Sequence, residues 1–225
     1  MRHLFLLAAL FCACISYAQI RVQERLPKSK TGFALTTAKT RAKIYYDVND
    51  ALVIKRSAEL FARDIQMVTG QKPELIQKRE RAKALVIVGT IEKNQWICEL
   101  AQKGKIDIRP LQGAWERYLI QTVDNPSPGV AKALVIAGSD RRGAAYGLFS
   151  ISEMMGVSPW YWWGDVPVKT HKALYVDAPP TYSKTPSVKY RGIFLNDEDW
   201  GLKPWAAKTF EKERGNIGPR TYAKI

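Results

Sequence analysis

Two dense motifs hold the residue types that could do chemistry. The first is Ser158-Pro159-Trp160-Tyr161-Trp162-Trp163-Gly164-Asp165-Val166-Pro167, and the second is Arg191-Gly192-Ile193-Phe194-Leu195-Asn196-Asp197-Glu198-Asp199-Trp200. Successive aromatics cannot all be buried on one face of one element, because side chains alternate along a strand and rotate around a helix. Three adjoining acids at the end of an expected strand are expensive to crowd, since like charges raise one another's pKa. Flat apolar rings beside paired carboxylates suit the cleavage of sugars: the rings meet sugar faces, and the carboxyl groups supply acid and base.

The elements that must position these motifs are legible by periodicity. Gly32 to Thr37 and Lys43 to Tyr46 read as short strands. Asn49 or Asp50 is expected to cap a helix whose apolar face is Ile54, Ala58, Phe61, Ile65 and Val68, with Gly70 as a left-handed cap. The unbroken apolar runs 84–89 and 133–138 suit strands buried on both faces. A second helix is expected from Glu92 to Lys103, and a third follows Ala144, Leu148, Ile151 and Met155 to Gly156. Between them Trp115 to Val123 reads as a strand and Asn125 to Gly129 as a turn. Strand, glycine-containing loop and helix occur twice, which predicts a mixed α/β domain with a partly parallel sheet and covering helices. Lys169 to Asp177 returns as strand, and the prolines between Ala178 and Pro186 predict a stiff linker.

From Tyr190 to Leu195 the chain is apolar on both faces, as an interior barrel strand would be. A (β/α)8 barrel takes roughly 250 residues. The expectation is therefore an α/β domain followed by the first strand of a truncated barrel and a helix near Thr221. The segments are 1–18 as a signal peptide, 19–183 as the α/β domain and 184–225 as the incomplete start of the barrel. Catalytic groups project from the carboxyl ends of barrel strands, where Asn196 to Trp200 would lie. Strand alternation separates Asp197 from Glu198 by face, and the parity facing the lumen is open. The alternative for these acids is a solvated loop or a cap. Trp200 either floors a sugar subsite or packs under its loop. Arg191 is tempting as a clamp for a substrate carboxylate, but six strand residues at about 3.3 Å each put it roughly 20 Å from Asp197. Pairing at the barrel bottom is its expected role.

The two motifs, together with Ala137-Gly138-Ser139-Asp140-Arg141-Arg142-Gly143, Ile151-Ser152-Glu153-Met154-Met155-Gly156-Val157 and Lys203 to Glu211, closely resemble the glycoside hydrolase family 115 alpha-glucuronidases. The likeness runs from about Gly32 to the last residue. It implies removal of alpha-1,2-linked glucuronic acid, or its 4-O-methyl form, from xylan side branches with inversion. It implies Asp197 as an active-site carboxylate. It also implies that the first domain lends a glutamate to the rim of the site, and Glu153 matches that position. Trp162, Trp163, Asn196, Glu198, Asp199 and Trp200 are carried as substrate-binding candidates. The implied partners are glucuronoxylan or aldouronic oligosaccharides, with a homodimer left open and no cofactor or metal. Two rival readings remain: a non-catalytic carbohydrate-binding module, and another glycosidase of beta-hexosaminidase-like architecture.

Composition narrows the classes further. Arg2 and His3 precede the apolar run Leu4 to Ile15, and Ser16-Tyr17-Ala18 supplies a small-residue cleavage pattern. This reads as a signal peptide cut after Ala18, too short for a membrane span, and predicts a periplasmic or secreted protein. Cys14 as a lipidation site is the alternative, though Phe11 fits that pattern poorly. Cleavage leaves Cys98 and His171 as the single cysteine and histidine, so no intramolecular disulfide, His-based metal site or local Ser-His-Asp triad is expected. The net charge of +14 has no long basic run behind it. No nucleic acid is expected; an acidic polysaccharide is the better match, with plain solubility as the alternative. Arg141 could bind a substrate carboxylate, but a local ion pair with Asp140 is the expectation. Cys98, in a helical pattern with Trp96, Ile97 and Leu100, reads as a small buried hydrophobe.

Overall fold

The computed structural model describes residues 19–161, 164, 166–196 and 199–224. The expected signal peptide, Trp162, Trp163, Asp165, Asp197 and Glu198 lie outside the described residues. The chain divides into two compact units after Pro186.

In chain order the first unit contains β1 (Arg21–Gln23), β2 (Gly32–Thr36), β3 (Lys43–Tyr46), α1 (Leu52–Thr69), β4 (Leu75–Ile76), β5 (Ala82–Thr90), α2 (Gln95–Gln102), β6 (Tyr118–Ser127), β7 (Val130–Gly138), α3 (Arg141–Met154), β8 (Leu174–Asp177) and β9 (Thr181–Tyr182). Among the described residues the main sheet runs β4-β3-β5-β7-β6-β9. Its β4, β3, β5 and β7 are mutually parallel, while β6 and β9 run antiparallel to their neighbours. A small antiparallel sheet, β1-β8-β2, packs nearby. The mixed α/β architecture with a partly parallel sheet is thus the observed fold class.

The apolar runs follow from this layering. Val86, Val88, Leu134 and Ile136 face a core shared with Ile54, Phe61, Ile65, Leu148 and Ile151 of α1 and α3. Leu85, Ile87, Ala133 and Val135 point the other way, against Trp96, Ile97 and Leu100 of α2. A strand covered by helices on both sides has no solvent face to mark with polar residues.

The glycine signal holds at the end of α1, while two helix starts differ from expectation: α2 begins at Gln95 rather than Glu92, and α1 lacks its expected cap. Gly70 takes φ 71° and its N–H donates to Gln66 O. Asn94 caps α2, its Oδ1 accepting from Trp96 N and Ile97 N at 3.1 Å each. Neither Asn49 nor Asp50 caps α1; Ala51 occupies that position and offers no side-chain bond. The Asp50 carboxylate instead accepts from Thr90 N at 2.7 Å and from Thr90 Oγ1, tying the β3–α1 loop to the end of β5. A distant donor wins over the local one because the strand end presents an otherwise unpaired backbone N–H.

Three strand expectations also change. β6 continues to Ser127, through most of the expected turn, and only Leu174–Asp177 of the segment 169–177 is strand. The stiff linker is docked: β9 pairs with Leu119 and Ile120 of β6, and Tyr182 Oη donates to Asp107 O at 2.6 Å. It covers a sheet edge that would otherwise leave backbone groups unpaired.

In the second unit, α4 (Leu202–Trp205) runs into a π-turn, Ala206–Phe210, and α5 (Pro219–Lys224) follows, as the helix expected near Thr221. Glu211 is 3% exposed and organises this unit. Its Oε2 accepts from Gly218 N at 2.8 Å, Thr221 N at 3.1 Å and Thr221 Oγ1, and these bonds hold its carboxyl below the usual carboxylate range. Residues 190–195 do not form the expected strand. They carry no ladder partner among the described residues, and Tyr190 and Phe194 stand 88% and 91% exposed. A barrel strand is held by its two neighbours, and none pairs with this segment here.

Candidate functional site

Helix α3 positions the acid expected from the first domain. Asp140 caps it, Oδ1 accepting from Arg142 N at 2.9 Å and Gly143 N at 2.8 Å. Oδ2 accepts from Glu116 N at 2.7 Å, which binds the loop before β6 to the helix start. The expected Asp140–Arg141 ion pair is not formed. It is Arg142 that pairs, its Nη1 lying 2.9 Å from Oε1 of the buried Glu116. The 137–143 motif is accordingly a structural clamp. At Gly143 an added Cβ would come within 2.3 Å of Arg117 O, so only glycine fits where helix and strand backbones approach. The Glu116–Arg142 pair was not legible in the sequence, because nothing local links positions that far apart.

The far end of α3 is anchored from the other core helix. Ser152 is buried and its Oγ donates to Asp64 Oδ2 of α1 at 2.7 Å. Burial pushes the Asp64 carboxyl above its usual value; the Ser152 bond and the nearby Arg63 oppose that shift. The next residue, Glu153, is exposed, and its carboxylate has no hydrogen-bond or ion-pair partner among the described residues. The backbone then turns at Gly156, φ 88°, whose N–H donates to Glu153 O at 2.9 Å. Val157 is buried and fixes the turn against the core.

The aromatic loop leaves directly from that turn. Trp160 is 47% exposed, whereas Tyr161 is half-buried and packs on the core formed with α1 and α3. One ring of the run therefore faces solvent and one braces the loop. The first unit thus presents an unpaired carboxylate and a solvent-facing indole from the same helix end.

The second unit presents Asn196, Asp199 and Trp200, all exposed. Asp199 Oδ1 accepts from Lys203 Nζ at 2.9 Å, one turn of helix away, and Trp200 is 83% exposed. Arg191 Nη1 donates to Val188 O at 2.7 Å. Trp205 and Phe210 stack with centroids 5.5 Å apart. Cys98 is half-buried rather than buried as expected; its Sγ donates to Ile91 O and burial pushes its thiol up, which disfavours the thiolate. Among the described residues no helix is long and apolar enough to cross a membrane.

Residues 183–225, the stretch holding the Asn-Asp-Glu-Asp-Trp motif, match the model of glycosyl hydrolase family 115. No curated protein matches the chain. Among solved structures, a family GH115 4-O-methyl-alpha-glucuronidase with specificity for decorated arabinogalactans is similar, with 35% identity and a TM-score of 0.67. The alignment covers 86% of this chain and 24% of that one, so this chain spans about a quarter of its relative's length. Two further likenesses are distant. CpGH84D shows 11% identity and a TM-score of 0.42 over 72% of this chain and 22% of that one. A GH20 beta-N-acetylhexosaminidase from Streptomyces coelicolor A3(2) shows 12% identity and a TM-score of 0.37 over 76% and 25%. With 35% identity over 86% of its length to that glucuronidase, and with its 183–225 segment matching the family model, the chain belongs to glycosyl hydrolase family 115.

Proposed function

We propose that this chain supplies the α/β domain and the opening of the catalytic barrel of an exo-acting alpha-glucuronidase. The whole enzyme removes alpha-1,2-linked glucuronic acid, or its 4-O-methyl form, from xylan branches. The observation that carries this reading is the placement of Glu153 and Trp160 at one helix end, in a chain whose 183–225 segment matches a hydrolase family. The Glu153 carboxylate has no partner among the described residues and the Trp160 indole is 47% exposed, and sugar recognition gives both a role.

In this reading residues 190–195 become the first barrel strand once neighbouring strands pair with them. Their exposed apolar side chains are what such a strand would bury. Asp197 is then the active-site carboxylate, with Asn196, Glu198, Asp199, Trp200, Trp162 and Trp163 as substrate-binding residues. The reaction is inverting: one carboxylic acid protonates the leaving sugar oxygen, and a second carboxylate about 6.5–9.5 Å away activates water from the opposite face. The leader 1–18 directs the enzyme to the periplasm or the outside of the cell. A second reading, glucuronate carried on arabinogalactan, is favoured by the specificity of the 35%-identical relative.

The test is release of glucuronic acid by the full-length enzyme from aldouronic oligosaccharides, glucuronoxylan and arabinogalactan in parallel. Release from the xylan-derived substrates supports the first reading, and release from arabinogalactan alone supports the second. Release from none of them overturns both.

A further inference from the structure

Four cations border an open groove of about 770 Å³ in the first unit, a volume within the range of ligand sites. Arg81 and Lys83 come from the start of β5, and Lys103 and Lys105 from just beyond α2. The opposite wall is the β6–β7 hairpin, residues 125–131. No carboxylate lines the groove, and none of the residues singled out for the sugar-cleaving site belongs to it.

Two of the cations are seated by the fold. Lys105 Nζ donates to Asn125 O at 2.7 Å and to Asp124 O at 3.3 Å, which holds the hairpin as a wall and the charge beside it. The Arg81 stem lies against Gly129, where an added Cβ would come within 2.9 Å of Arg81 Cγ. Arg81 and Lys83 are exposed and form no ion pair among the described residues. Of the nearby acids, Asp124 pairs with Lys132 at 3.1 Å, while Glu99 pairs with Arg79 and also, at 3.9 Å, with Lys103 of the groove. The groove is therefore a concave cationic surface with apolar walls at Pro126 and Val130, both buried. A second groove shares Lys105 and adds the half-buried Tyr182.

We propose that this groove is a secondary binding site for a uronate-bearing polysaccharide, holding the polymer by its carboxylates through residues other than those of the cleavage site. The choice of ligand rests on the function proposed above. It also rests on charge, since a cationic groove without acids selects an anion. A single-stranded nucleic acid is disfavoured because its binders stack successive bases on aromatic platforms. No aromatic residue lines the first groove, and Arg117 covers one face of Tyr182 at 5.8 Å.

The experiment is affinity electrophoresis of the purified chain in gels containing 4-O-methylglucuronoxylan, the same xylan after carboxyl reduction, or single-stranded DNA. The chain is compared with Arg81→Gln/Lys83→Gln and with Lys83→Gln alone. Both variants replace exposed side chains, and each is checked for an unchanged melting temperature. The expected results are retardation in glucuronoxylan, its loss after carboxyl reduction, and at least a fivefold rise in the apparent Kd for the double variant. Equal retardation of wild type and double variant would overturn the proposal. So would equal retardation with reduced xylan, or stronger retardation by DNA than by glucuronoxylan. The hydrolase reading fails separately: a full-length enzyme that releases no glucuronic acid while its groove still binds the polymer loses the activity and keeps the site.

Discussion

Ser152 Oγ donates a 2.7 Å hydrogen bond to Asp64 Oδ2, joining the last turn of α3 to the buried face of α1 immediately before Glu153. The bond couples the stability of the α/β domain to the position of the acid at its rim. A buried carboxylate without its donor retains the full desolvation penalty.

Ser152→Ala is expected to destabilise the chain by about 1–3 kcal/mol, the usual range for stranding a buried polar group. Thermal unfolding measures it; an unchanged melting temperature would show that the bond contributes nothing.

Asp64→Asn is expected to be neutral or stabilising at pH 7, since the amide keeps an acceptor for Ser152 and removes a buried charge. The Asp64 carboxyl is raised by burial, so the folded state holds its proton more tightly than the unfolded chain. This group therefore adds stability as pH falls from neutrality toward its unfolded value near 3.9, and loses it as pH rises. The advantage of the Asn variant should shrink on acidification. An advantage that grows toward pH 4 would contradict the sign.

Asp140→Ala removes the cap of α3 and the acceptor for Glu116 N. The loss should be about 1–2 kcal/mol, from the cap alone or slightly more. Asp140→Asn should recover the cap bonds but not the one from Glu116 N, because an amide has a single acceptor oxygen where the carboxylate uses both. An Asn variant no more stable than the Ala variant would show that the cap bonds contribute nothing.

Glu153→Gln should leave the melting temperature unchanged, because the carboxylate is exposed and unpartnered. In the full-length enzyme kcat/KM should fall at least about tenfold, the loss expected for one charge-assisted contact to substrate. A kinetic profile like the wild type would remove Glu153 from the site.

Asp197→Ala in the full-length enzyme should lower turnover by at least about 100-fold, as for a lost acid, base or charge stabiliser. Near-wild-type turnover by a folded variant would remove Asp197 from the site.

How much was legible varies with the range of the interaction. Gly70 and Gly156 mark helix ends because their left-handed backbone is a local property of the residue. The runs 84–89 and 133–138 announce strands buried on both sides because burial on two faces removes the alternation. In sequence Asp50 reads as a cap and Asp140 as the ion-pair partner of Arg141, yet Asp140 caps and Asp50 bonds Thr90. Which donor reaches a carboxylate first depends on how the strands stack.

By itself the sequence determined the α/β class, the helix ends and the two motifs that point to sugar chemistry, since these follow from periodicity and from residue types. The tertiary structure alone decided that Arg142 rather than Arg141 finds an acid, that the proline segment docks as an edge strand, and that Glu153 is left without a partner among the described residues. It also decided that the cations of β5 and the α2 end gather around one groove. Each of these joins residues far apart in the chain, and only the packing of the core fixes the distances on which hydrogen bonds and charges act.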